Sequence, residues 1–163
     1  MKKILLPGFS LFIGLCLGEA VAQELPRQIV GFNLQMSEQQ VHARLKQIGT
    51  FVRAEKGEEA WKVKDPSFSH VIVGFGKDDQ LRYVTAVART DKDSKPVAYS
   101  EVGRIEKAQQ VGDPKIKNFQ YQWQIPQEKD QPAALLIAMG RDPKTLSTLT
   151  LKNSAVPRTS DDD

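Results

Sequence analysis

Apolar positions along this chain follow two periods, and the switches between them mark out its elements. Residues 25–34 lead in, with room for one short strand. The first helix is predicted to start at Ser37, whose hydroxyl can accept from the free N–H groups of a first turn. Gln40, three residues on, completes a capping box, and Met36 and Val41 are spaced for a hydrophobic staple. Val41, Leu45 and Ile48 recur at i, i+4 and i+7, one face of an α-helix, and Gly49 supplies a left-handed residue to end it. The period then drops to two. Phe51 and Val52 open an extended stretch, Gly57 turns it, residues 60–64 return, and Asp65-Pro66 breaks the run. Residues 70–75 read as a strand, 76–80 as a turn and 81–89 as the strand running back, before a charged segment that ends at Pro96.

The same succession is predicted again. Ser100 can cap a second helix, with Val102, Ile105, Ala108 and Val111 facing inward and Gly112-Asp113-Pro114 as its stop. Phe119, Tyr121, Trp123 and Ile125 alternate with Asn118, Gln120, Gln122 and Gln124, the pattern of a half-buried strand. Residues 133–139 form an apolar strand, and 146–151 close the sheet. Trp61 and Trp123 are offset by 62 positions and Gly76 and Gly140 by 64, an almost constant spacing that predicts a duplication. The expected fold class is therefore α+β: two tandem helix-plus-antiparallel-hairpin units, residues 23–95 and 96–152, buried against each other as one compact body. The tail, 153–163, with Pro157 and three aspartates, is expected to be disordered.

The run Gly31-Phe32-Asn33-Leu34-Gln35-Met36-Ser37, followed by Val41, Leu45, Gly49, Trp61, the stretch 71–75 and Leu81, resembles the module of the outer-membrane assembly lipoprotein family called SmpA/OmlA. It is also similar to the β-lactamase-inhibitor-protein fold, a tandem repeat of helices on an antiparallel sheet. The resemblance covers residues 31–89 and implies an exported, non-enzymatic binding module. Gln23 stands where the lipoprotein family carries its lipidated cysteine, so no lipid tether is implied here.

Ahead of these elements, Lys2 and Lys3 precede an uncharged apolar run over 4–18, and Ala20-Val21-Ala22 presents small residues to a signal peptidase. Residues 1–22 read as a cleavable signal peptide, cut before Gln23, which sends the chain to the periplasm or out of the cell. The run falls short of the ~20 apolar residues that cross a bilayer, although an uncleaved leader would make it an envelope anchor. Cys16 follows Leu15 rather than the small residue a lipoprotein signal wants. Cleavage removes this one cysteine, so the body must be held by its core, without disulfides. The chain carries 23 basic and 20 acidic side chains. Lys2, Lys3 and Glu19 leave with the leader, giving 21 and 19 and a formal charge of +2. Charges of both signs alternate with no basic stripe, which argues against nucleic acid as a partner.

Chemistry is sparse. The two histidines, His42 and His70, are expected at the helix surface and at a strand end; with no H-E-x-x-H and no cysteine ligands, the usual zinc sites lack donors. No G-x-S-x-G, P-loop or dinucleotide fingerprint occurs, so no cofactor is expected. Lys77-Asp78-Asp79 fails the calcium-loop spacing and reads as a hairpin turn, while Glu55, Glu58 and Glu59 read as a solvated loop around Lys56 and Gly57. Trp61, Tyr121 and Trp123 either anchor a binding surface or fill the core. Gln120, Gln122 and Gln124 face the opposite way, an uncharged polar face open to solvent or used in recognition. Together these point to a non-enzymatic binding module of the envelope whose partner is another envelope protein. The alternative is a small periplasmic enzyme whose site is assembled only by the fold.

Overall fold

Ser37 caps the first helix as its spacing predicts. In the computed structural model, which describes residues 24–92 and 94–154, Gln40 N–H donates to Ser37 Oγ at 3.4 Å and Ser37 N–H donates back to Gln40 Oε1 at 2.9 Å. Helix α1, Glu38–Ile48, buries Val41 and Leu45 completely. The predicted signal peptide and the tail beyond residue 154 lie outside the described residues.

Among the described residues eight strands follow: β1 Gly49–Glu55, β2 Glu58–Val63, β3 Phe68–Phe75, β4 Leu81–Ala88, β5 Gln109–Gln110, β6 Phe119–Ile125, β7 Ala134–Gly140 and β8 Thr148–Asn153. They form one antiparallel sheet in the order β1-β2-β3-β4-β8-β7-β6-β5. Two four-strand meanders thus meet where β4 pairs with β8. The hairpins explain the register: alternation in β2 to β4 and β6 to β8 puts the buried set on one face, and turn residues at Lys56-Gly57 and Asp79 take left-handed φ.

The fold is mostly β, which corrects the expectation of two tandem helix-plus-hairpin units. The second predicted helix is reduced to one turn, Tyr99–Val102, and a 3-10 turn, Ile105–Lys107, before the chain joins the sheet edge as β5. The physical reason lies in the spacing. Steps of three residues slip about 60° round an α-helix each time, so Val102, Ile105, Ala108 and Val111 cannot hold one face. Val111, predicted inward, is 51% exposed. Gly103 and Arg104 are extended, and Ala98 rather than Ser100 holds the cap position, where Glu101 Oε1 accepts from its N–H at 3.4 Å.

Two further local readings change. Gly49 is extended, with φ −156°, and opens β1 directly; it is not a left-handed stop. Its need for glycine is steric, since a Cβ there would lie 2.4 Å from the Lys62 carbonyl oxygen. The lead-in contains a tight reversal, not a strand: Ile29 and Phe32 exchange both backbone bonds at 2.9 Å around left-handed Val30 and Gly31.

The core lies on one face of the sheet. Phe32, Val41, Leu45, Tyr99 and Val102 cover Trp61, Val71, Val84, Leu136, Leu149 and Trp123. Tyr99 is the largest side chain buried outright, set edge-on to Tyr121 with ring centroids 4.8 Å apart.

Candidate functional site

Five of the six candidate binding residues lie on β6, whose alternation divides them between two surfaces; Trp61 lies on β2. Trp123 is buried, its indole N–H donating to Arg104 O at 2.9 Å, and Trp61 is 7% exposed. Tyr121 packs partly buried against the same core. These three aromatics therefore fill the core. Gln120, Gln122 and Gln124 alternate with Tyr121 and Trp123 and share the opposite face.

That opposite face carries no helix among the described residues. Register places Ala60, Ile72, Thr85, Thr150, Ile137 and Gln122 side by side across six strands. Ile72, Thr85, Thr150 and Ile137 are all only half-buried. The Thr85 and Thr150 hydroxyls bond at 2.8 Å and tie β4 to β8. On one side of this row Tyr83 lies across Gly74 and its hydroxyl donates to Glu58. Burial, and then the Glu58 carboxylate, raise the Tyr83 hydroxyl above the ordinary tyrosine range. On the other side His70 pairs across to Lys62 and Val87, with Nδ1 3.0 Å from Ser69 Oγ.

The second arrangement lies on the core side, where α1 crosses β2. His42 was expected to be exposed. It is instead half-buried, because Glu59 rises from β2 beneath it: both carboxylate oxygens lie 3.0 Å from His42 Nε2. Glu38, one turn earlier on α1, faces His42 Nδ1 at 3.9 Å. The Trp61 indole N–H donates to Glu59 Oε2 at 2.9 Å, and the Phe75 ring stands edge-on to the imidazole at 5.6 Å. Glu58 and Glu59 consequently belong to β2, not to a solvated loop, although Lys56 and Gly57 do form the turn. Sequence reasoning missed this cluster. Its two local spacings, Glu38 to His42 at i+4 and Glu59 to Trp61 at i+2, were visible; the crossing of helix over strand was not.

The fold does not bring the two histidines together, since they stand on opposite faces. Neither lines the cleft of about 490 Å³ beside the lead-in segment, which is walled by Leu25, Arg27, Gln35 and Leu151. There Arg27 is held by Glu128 at 3.0 Å and by Pro126 O at 2.8 Å. No described helix is long and apolar enough to cross a membrane. Compared with protein-family models, with curated proteins and with solved structures, the chain has no match.

Proposed function

We propose that this chain is an exported, non-enzymatic binding module of the cell envelope that takes a protein partner on the uncovered face of its sheet. The observation that carries this reading is the central row of that face. Half-buried Ile72 and Ile137 flank the paired Thr85 and Thr150, and Gln122 continues the row. Interfaces have this composition: an apolar centre with uncharged hydrogen-bonding groups, and charge kept to the rim. Here Glu58, Lys62 and Lys152 stand in the outer rows. Strands fixed on both sides by neighbours lose little freedom on binding, which favours affinity. Export is supported by the leader-like pattern over 1–22, with its basic start, apolar run and small residues before Gln23. The resemblance of residues 31–89 to the SmpA/OmlA module is in keeping with this class of function.

The test compares capture from envelope extract by the wild-type chain, by an Ile137→Glu/Thr150→Lys double variant, and by a control with the exposed helix positions Gln39 and Lys46 changed to alanine. Circular dichroism checks that all three fold. A partner held by wild type and control but lost by the double variant supports the reading; equal capture by all three overturns it. Mass spectrometry of the exported chain is expected to find Gln23 first, and a chain beginning at Met1 would refute cleavage.

A further inference from the structure

We propose that Glu38, His42 and Glu59 form a binding site for a divalent d-block cation, zinc being the one their donor set fits. One ligand atom from each of the three lies within 4.8 Å of the others. His42 and Glu59 are 28% and 22% exposed at their side chains, and Glu38 41%.

Charge is the first argument. Two carboxylates face a single imidazole, one at each ring nitrogen, and even a protonated ring carries only one positive charge against them. A divalent ion balances both. Geometry is the second. His42 Nε2 is equidistant from the two Glu59 oxygens, on the bisector of the carboxylate, so the pair already converges on a point between nitrogen and oxygen donors. Four-coordinate zinc at about 2.0–2.2 Å from its ligands wants them roughly 3.4 Å apart. Glu59 and His42 are near that separation. Glu38 stands at the Nδ1 edge of the ring, with its ligand atom within 4.8 Å of the other two, so it must swing toward the Nε2–Glu59 pair by up to ~1.4 Å; as the most exposed of the three it has the rotamer freedom to do so.

Chemistry selects the ion. A nitrogen donor disfavours calcium and magnesium, which take oxygen ligands, and favours the later first-row metals. Three protein ligands leave one zinc position open to water or to a group from a partner. The surroundings support the first shell: the Trp61 indole N–H orients Glu59, and the Phe75 edge fixes the plane of the imidazole. This site lies on the other side of the sheet from the proposed partner surface and does not depend on that reading.

The experiment is calorimetric titration of the purified chain with Zn²⁺, and separately with Mg²⁺ and Ca²⁺. One equivalent of Zn²⁺ should bind, with no uptake of the other two. His42→Gln and Glu59→Gln should each weaken zinc at least ~10-fold, Glu38→Gln should weaken it in the same direction, and His70→Gln should leave it within about twofold. Because Glu59→Gln also disturbs Trp61, the wild-type chain supplies an independent readout. With only two histidines, NMR follows both rings as Co²⁺ is added, and the His42 ring protons should broaden first. Zinc uptake unaffected by His42→Gln, broadening that begins at His70, or no binding up to roughly 1 mM would each overturn the proposal.

Discussion

Replacing Gly49 and Gly57 by alanine, and then by asparagine, separates two reasons for glycine within a single hairpin. Gly57 has φ +78° and follows Lys56 at +50°, the left-handed pair that turns β1 into β2, and a Cβ on Gly57 would meet nothing within 4 Å. Gly57→Ala therefore costs only the left-handed penalty of about 1–2 kcal/mol. About 0.5 kcal/mol of that is recovered from the stiffer unfolded chain. Gly49 is extended, and its Cβ would lie 2.4 Å from Lys62 O and 3.1 Å from Val63 Cγ1. The first contact is backbone, so β1 has to move off β2 at the Gly49–Val63 pair, beside the 2.8 Å bond from Lys64 N–H to Ile48 O. Overpacking of about 1–3 kcal/mol, with one weakened backbone bond of about 1 kcal/mol, gives a net loss of roughly 2–4 kcal/mol. Asparagine reverses the relation between the sites. It tolerates the left-handed region, so Gly57→Asn should return to within about 0.5 kcal/mol of wild type. At Gly49 the larger side chain should cost at least as much as alanine. Urea unfolding followed by the emission of buried Trp61 and Trp123 measures all four variants, with the midpoint shift converted at constant slope. A Gly49→Ala protein within about 0.5 kcal/mol of wild type, or asparagine rescue at both sites, would refute the steric account of Gly49.

Ser37→Ala should lower stability by ~1 kcal/mol in thermal unfolding, since it removes the acceptor for Gln40 N–H. Leu45→Ala, in a wholly buried position of α1, should cost about 2–5 kcal/mol in urea with an unchanged slope. Tyr99→Phe should cost under about 1 kcal/mol, because the hydroxyl reaches Phe119 O only at 3.4 Å, whereas Tyr99→Ala should cost about 3–5 kcal/mol. Burial above all, then Tyr121 and Asp142, push the Tyr99 hydroxyl up to about 12 from 10.0. The unfolded chain releases that proton first, so stability should be complete below pH 10 and fall as pH rises toward 12. Tyr99→Phe should flatten this loss, leaving the share from Tyr83, which moves in the same direction; an unchanged alkaline profile would show that Tyr99 does not titrate with folding.

What the sequence made legible follows the range of each interaction. Strands β1 to β4 and β6 to β8 were legible because alternation and turn residues act over a few positions; β6, Phe119–Ile125, starts one residue inside the predicted alternation of 118–125. The same local rule separated Tyr121 and Trp123 from the glutamine row, since one strand decides it. The second predicted helix does not form because apolar positions at steps of three do not stay on one helical face. Gly49 was legible as a residue that had to be glycine, but the reason was not, because the contact that excludes a Cβ comes from Lys62, 13 positions away. Pairing between distant strands left still less trace. Thr85 and Thr150 read as ordinary polar strand positions until β4 and β8 become neighbours, 65 residues apart. The His42 corner is the sharpest case. Glu59 and His42 both read as solvated from the sequence, and Glu38 carries no signal of its own; each would be solvated on its isolated element. Only the crossing of α1 over β2 sets Glu59 under the ring, and that crossing is fixed by Val41 and Leu45 burying against the sheet. The apolar stripe was legible, and its consequence for the polar residues beside it was the step that sequence spacing alone could not supply.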